Sequence, residues 1–368
     1  MKVAPVYRAL EGLGLGHELL LLHTGQHYDA VMSDVFVAEL DLPQPDAFLG
    51  VGPGTHAEQT ARTLMGVEKI LLELQPALVV VAGDVNSTLG AALAAAKLQI
   101  PIAHIESGLR SFDNSMPEEH NRKLTDHLSA ILLTHSPSAV ENLAREGIDP
   151  ASVHLVGNTM IDSLLEHLEA ARGKRPWESL GLQAGTYGLV TLHRPELVDD
   201  EASLESTVSE LRRLAGTVPL VFPVHPRTQQ RLAAAGLNQR LDPGLLTVDA
   251  LGYLEFLGLE SEARFVLTDS GGVQEETSAL GVPCFTLRES TERPITIELG
   301  TNTVLGATPQ RIAEIPLALE EVRSGEPIPL WDGRAGPRAA EPLAQFLGSL
   351  SPLSTASGVY ADPPGAST

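Results

Sequence analysis

The sequence predicts an α/β protein built from two Rossmann-like domains, with its working surface in the cleft between them. Short apolar runs alternate with helix-length amphipathic or Ala-rich segments, the βαβ rhythm of parallel strands buried on both faces. That rhythm breaks once, at ARGKRPWESLGLQAG (171–185), and then restarts. A chain of 368 residues also exceeds what one hydrophobic core ordinarily serves.

In the first half the runs are LLLLH (19–23), LVVVAGD (78–84), PIAHIE (101–106), AILLT (130–134) and VHLV (153–156). STLGAALAAAKLQ, between the second and third, offers the small residues that let a helix pack closely on a sheet. The second half supplies YGLVTL (187–192), PLVFPV (219–224), LLTV (245–248), RFVLTD (264–269) and PCFTL (283–287). The boundaries that follow are an N-terminal domain at 1–170, a linker at 171–180, a C-terminal domain at 181–338 and a closing helix at 339–350. The segment 351–368 is rich in Ser, Pro, Gly and Ala and is expected to be disordered.

The charge balance of 25 basic and 47 acidic residues, net −22, disfavours nucleic acid or an anionic membrane as partner, because phosphate backbones need clustered Lys and Arg. Any anion site must be local. A single cysteine, Cys284, rules out an intramolecular disulfide framework and is read as core filling. No run approaches the roughly 18 apolar residues of a membrane span, and the start does not read as a secretory signal. The expected location is the cytoplasm.

Polar residues gather where strands stop, the place where α/β sheets bind ligands. Asp84 closes LVVVAGD, where capping the next helix is its simplest role. Glu106 ends a strand in HIESGLRSFD, with an ion pair to Arg110 as the plain alternative to function. MPEEHNR sets Glu118, Glu119, Asn121 and Arg122 in a helix opened by Pro117. TGQHYD (24–29) is a further polar strand end or a simple turn. HRPE (193–196) and VHPRT (224–228) each place a His and an Arg at a strand end. The spacing of His104, His193 and His225 matches no metal-ligand pattern, so no metal is expected. In LTDSGGVQEE (267–276), Ser270, Gly271 and Gly272 can cradle a phosphate at a helix N-terminus, and Glu276 is placed to accept the hydroxyls of a ribose. Late position and spacing set this stretch apart from the Walker and dinucleotide fingerprints, and it suits a nucleotide-sugar.

Taken in order, LVVVAGDVNST, AHIESGLRSFD, MPEEHNR, VGNTMID, VTLHRPE, VFPVHPRT, LTDSGGVQEE and RESTERP closely resemble the bacterial non-hydrolysing UDP-N-acetylglucosamine 2-epimerases across nearly the whole chain. The resemblance implies a GT-B-like arrangement, a homodimer, and cofactor-independent interconversion of UDP-N-acetylglucosamine and UDP-N-acetylmannosamine through loss of UDP to a glycal and its return. The products feed surface-polysaccharide synthesis. It implies catalytic roles for Asp84, Glu106, Glu118, His225 and Lys2. UDP contacts fall to Phe256 beside uracil, to Ser270, Gly271 and Gly272 at the phosphates, and to Glu276 at the ribose. Gln26, His27, Arg62 and Glu119 resemble a pocket for a second substrate molecule acting as activator. The chemistry fits the residue types, since a C2 proton that is not acidic leaves only as charge builds at C1, which calls for carboxylates opposite a diphosphate clamp.

Family members carry an apolar strand and a Gly-Thr-Arg-Pro-Glu loop before the helix that here reads KVAPVYRAL. The expectation is therefore a displaced start, with neighbouring strand edges exposed and with stability and activity reduced. Leu197 after HRPE stands where asparagine is common. Three other readings share these motifs: a hydrolysing 2-epimerase, a GT-B glycosyltransferase, and an inactive nucleotide-sugar-binding protein.

Overall fold

The computed structural model describes residues 1–14, 19–26, 39–40, 42–237, 244–321 and 325–350. His27 and the segment 351–368 lie outside the described residues. The strands are β1 (Leu22–His23), β2 (Ala47–Phe48), β3 (Val79–Ala82), β4 (Ile102–Ser107), β5 (Ile131–Thr134), β6 (Val153–Leu155), β7 (Gly188–Thr191), β8 (Leu220–Pro223), β9 (Leu245–Val248), β10 (Phe265–Thr268), β11 (Cys284–Thr286) and β12 (Asn302–Val304).

They form three parallel sheets: β1-β2, β3-β4-β5-β6, and a six-stranded sheet in the order β12-β11-β10-β7-β8-β9. Two Rossmann-like units in a GT-B-like arrangement result. The apolar runs are strands because helices cover both faces; every residue of β4 is buried. Against the six-stranded sheet, Leu204, Val208 and Leu211 of the helix Glu201–Ala215 pack on Val190, Phe222 and Phe265. The strand order of this sheet reverses between β7 and β10. Such a switch point opens a crevice at the carboxyl ends of the two strands.

β3 lies at the edge of the four-stranded sheet, and Val80 within it is 37% exposed. The helix Thr159–Lys174 runs into the segment read as a linker, and a short helix, Pro176–Ser179, follows after Arg175. The C-terminal helix Ala335–Ser349 returns to the first half and packs on the helix Ala4–Gly12. It starts at Ala335, earlier than the sequence suggests, because the Asp162 carboxylate accepts the N–H groups of Ala335 (3.0 Å) and Gly336 (2.7 Å).

Candidate active site

Asp84 follows Gly83, whose φ of +69° turns the chain at the end of β3. Its expected capping role is not what the structure shows. The helix Asn86–Lys97 has no side-chain cap, and the Asp84 carboxylate instead meets Arg122 Nε at 2.9 Å and Nη2 at 2.6 Å. A guanidinium brought across the cleft rim outbids the local N–H groups.

Glu106 closes β4 with φ of +68°, at a register shift between Ile105 and Ser107. A left-handed glutamate at a bulge is a strained conformation held by its surroundings. The surroundings are Lys2, which bonds one carboxylate oxygen, and Arg293, whose Nη2 is 3.2 Å from the other. The alternative pairing with Arg110 does not occur, because that guanidinium is committed to Asp126 (2.7 Å) and Glu146 (2.6 Å). Burial raises the Glu106 pKa, but Lys2 and Arg293 outweigh it and hold the group below the usual carboxylate range. Burial likewise depresses Lys2, while Glu106 and Asp84 more than restore it, so the ammonium persists.

Helical spacing in Pro117–Leu128 puts Glu118, Asn121 and Arg122 on one face. Asn121 Nδ2 donates to the Asp84 carbonyl at 2.9 Å, so this face looks onto the β3 turn. Glu118 is half-buried and has no hydrogen-bond or ion-pair partner among the described residues. Glu119 lies about 100° round the helix. It is fully buried and accepts from the N–H groups of Ser111 (2.8 Å) and Phe112 (3.2 Å) and from the Ser111 hydroxyl (2.9 Å).

On the other side, the helix Gly271–Leu280 begins after Ser270 with no side-chain cap, and a Cβ on Gly271 would collide with the Arg293 guanidinium. First-turn N–H groups and a guanidinium thus adjoin at the β7/β10 crevice, a combination suited to an anion. Asp269, fully buried, accepts from the N–H groups of His193 and Arg194 (both 2.8 Å) through one oxygen, and its other oxygen lies 3.0 Å from His193 Nδ1, fixing the HRPE loop. His193 and His225 then stand with ring centroids 5.6 Å apart, so the two strand-end histidines do converge. His225 Nδ1 also accepts the Arg227 N–H, opening the helix Pro226–Ala234. Phe256, half-buried on the helix Tyr253–Ser261, packs against the core of this unit.

Arg293 is the residue the sequence reading left without a role, although RESTERP was among the motifs. Besides Glu106 it binds Glu275 (3.0 Å) and Glu292 (3.3 Å), and Glu292 is gripped by Arg288 (2.9 and 2.5 Å). His135, at the end of β5, is 3.1 Å from Glu275. A His after an apolar run was the available signal for it, as it was for His193. Burial raises Glu275, but Arg293 and His135 carry it down to about 2. Its neighbour Glu276 has no comparable cation; burial and the Glu275 charge push it up to about 8. Glu106, His135 and Glu275 bring ligand-type atoms within 4.8 Å of one another, yet Lys2 and Arg293 already bond two of the three. This is an ion-pair hub across the cleft, built with the chain's own cations.

Of the residues assigned to a second-substrate pocket, Gln26 Oε1 accepts the Ser87 N–H (2.7 Å), and Arg62 donates to the carbonyls of Val51 (2.9 Å) and Pro53 (3.0 Å). The loops meet through Val51 N–H to Thr24 O (2.9 Å) and Gly52 N–H to Gly25 O (2.9 Å), so Gln26 and Arg62 flank one surface.

Known proteins resemble this chain over nearly its full length. The UDP-N-acetylglucosamine 2-epimerase family profile matches residues 15–344. A UDP-N-acetylglucosamine 2-epimerase of Methanococcus maripaludis is 41% identical, covering 91% of this chain and 93% of that protein. A UDP-2,3-diacetamido-2,3-dideoxy-D-glucuronate 2-epimerase of Pseudomonas aeruginosa is 42% identical over 89% of this chain and 91% of its own length. The crystal structure of the Methanocaldococcus jannaschii UDP-GlcNAc 2-epimerase with UDP-GlcNAc and UDP superposes with a TM-score of 0.87 at 40% identity, covering 94% of this chain and 96% of that one. Motif order, cleft geometry and similarity along the whole chain agree, and the chain belongs to the UDP-N-acetylglucosamine 2-epimerase family.

Proposed function

We propose that the protein interconverts UDP-N-acetylglucosamine and UDP-N-acetylmannosamine by elimination and re-addition of UDP, using no metal or organic cofactor. The observation that carries this reading is the unequal state of three cleft carboxylates: Asp84 and Glu106 are locked on cations, and Glu118 is left to accept a proton. Glu118 takes the C2 proton as the C1–O bond breaks, the bonding pair leaves with UDP, and a C1=C2 double bond forms. A proton delivered to the other face of C2 and return of the UDP oxygen to C1 complete the inversion. Ser270, Gly271, Gly272 and His225 hold the diphosphate, Glu276 the ribose and Phe256 the base. Following purified protein with UDP-N-acetylglucosamine by proton NMR tests this. A manno nucleotide-sugar with little free sugar is expected; accumulating free N-acetylmannosamine would select the hydrolysing alternative.

The sugar is the neutral hexosamine. Lys2, Arg122, Arg288 and Arg293 are each already paired with carboxylates, which leaves the extra carboxylate of a diacetamido-glucuronate without a counter-charge from them. Comparing kcat/KM for the two UDP-sugars decides between them.

Glu276 makes nucleotide binding pH-dependent. Accepting two ribose hydroxyls requires the ionised carboxylate, whereas the free group at about 8 carries a proton near neutrality. UDP affinity should thus rise with pH, by up to about tenfold per unit, and level off above about 8. Calorimetry at pH 7 in two buffers of different ionisation enthalpy should find close to one proton released. A flat profile with no proton release would contradict this use of Glu276.

A second UDP-N-acetylglucosamine is assigned to Gln26, His27 and Arg62, with Glu119, buried on the Ser111 backbone, acting only through that loop. Sigmoidal rates that become hyperbolic in Gln26→Ala would support it, and hyperbolic rates in both proteins would refute it. The protein works as a cytoplasmic homodimer, with no nucleic-acid or membrane partner. The net charge of −22 disfavours a nucleic-acid partner, and among the described residues no helix is long and apolar enough to cross a membrane. Met65 and Leu72, two turns apart on the helix His56–Leu74 and 61% and 57% exposed, offer an apolar strip for self-association. Light scattering of a double Glu variant there should report a monomer; a persisting dimer would clear this face.

A further inference from the structure

His104 sits on β4 two residues before Glu106 and is fully buried. Its Nδ1 lies 2.7 Å from Asp126 Oδ1, and its Nε2 lies 2.8 Å from the carbonyl oxygen of Gly83. A carbonyl oxygen has no proton to give, so Nε2 must carry the N–H. A neutral ring would then aim a lone pair from Nδ1 at a carboxylate. Asp126 is held ionised, because the buried Arg110 guanidinium 2.7 Å from its other oxygen and the Gly108 N–H (3.1 Å) there stabilise the carboxylate and, with His104, outweigh its burial. Both ring nitrogens are therefore donors.

The surrounding charges agree. The helix Pro117–Leu128 contributes Asp126, the loop after β4 contributes Arg110, and Glu146 binds Arg110 through two bonds of 2.8 and 2.6 Å. β3 and β5 place only Val81 and Leu132 beside His104. Two carboxylates thus face one guanidinium, with the exposed His127 3.7 Å from Glu146 at the rim, and a charged His104 answers the buried Asp126. Glu106, on the same strand, is answered by Lys2 and Arg293. Burial pulls the His104 pKa down, but Asp126, the Gly83 carbonyl and Glu106 more than offset it and the pKa rises above its ordinary value.

The Gly83 carbonyl belongs to the peptide that joins Gly83 to Asp84. A Cβ at Gly83 would lie 3.3 Å from Lys2 Nζ and 3.4 Å from Glu106 Oε2, so a small shift of this turn disturbs the hub as well as Asp84. We infer that His104 is a buried imidazolium that positions Asp84, gripping the β3 turn from beneath so that the Asp84 carboxylate meets Arg122. His104 touches no substrate, and its effect on turnover rests on the reading of Asp84 as a sugar-site carboxylate.

Nitrogen NMR of the full chain labelled in histidine tests the charge without a variant, the ring being assigned by through-bond correlation. At about pH 8, where an ordinary histidine is neutral, both nitrogens of His104 should still be protonated. A neutral ring there would overturn the inference. Kinetics test the positioning. In His104→Gln, kcat should fall by about tenfold to a hundredfold with KM little changed, since the cost is misplacement of a reacting group. The alkaline limb of the wild-type kcat profile, arising as His104 loses its proton, should vanish in the variant. An unchanged kcat, or the same limb in a folded variant, would overturn the positioning role. Should wild type show no turnover, the reading of the site falls, and the nitrogen shifts together with the Asp84–Arg122 contact in a variant crystal structure still decide the inference.

Discussion

Exchanging Glu118 for Gln is expected to lower kcat by about 10²–10⁴-fold, the usual worth of a positioned proton-transfer group, with UDP affinity nearly unchanged. Gln keeps the size and polarity of the side chain but cannot take a proton. Because no cation is bonded to Glu118 among the described residues, the substitution orphans no buried charge, and little stability should be lost. On the proposed reading UDP binds the opposite unit, at the first turn of Gly271–Leu280, and Glu118 lies on a helix of the first half. Steady-state rates with calorimetric UDP binding separate the two effects. A drop below tenfold would move the proton transfer to another carboxylate, and parallel loss of UDP binding would recast Glu118 as a binding residue.

Removing Arg293 should have the largest effect on stability. Arg293→Met leaves Glu106, Glu275 and Glu292 without their shared guanidinium, and breaking such a buried arrangement costs about 3–5 kcal/mol. The pH dependence that Glu275 contributes should also weaken. In the wild type this group titrates at about 2, below its unfolded value of 4.5, so its stabilisation is present above 4.5 and is lost as pH falls toward 2. Without Arg293, only His135 and Lys2 oppose burial, so the group titrates nearer its ordinary value and less stability is lost on acidification. Urea unfolding of both proteins at mildly acidic and neutral pH checks this. A variant as stable as wild type at neutral pH, or one that loses stability on acidification in the same way, would contradict the hub.

The strands of four or more residues were legible because each falls in a short, mostly apolar run between helix-length segments. β2 and β12, of two and three residues, were not, since Ala47–Phe48 and Asn302–Val304 show no run long enough to stand out. LLLLH reads as a five-residue strand but pairs only over Leu22–His23. In the site, the strand-end residues were found because topology alone puts them at the crevice. The pairings were not. Asp84 reads locally as a cap, and its actual partner lies 38 residues away on another helix. Arg293 meets Glu106 across 187 residues of chain, a contact no local pattern encodes. Glu118 and Glu119 look equivalent in sequence, and only the helix phase separates a carboxylate facing the β3 turn from one clamped on the Ser111 backbone.

The most direct test of proton removal at C2 is to run the reaction in deuterated water and read the C2 position of both nucleotide-sugars by NMR. Elimination and re-addition require the manno product to appear with deuterium at C2, and the gluco pool to lose its C2 proton as equilibrium is approached. Product that retains the original C2 proton would contradict the account.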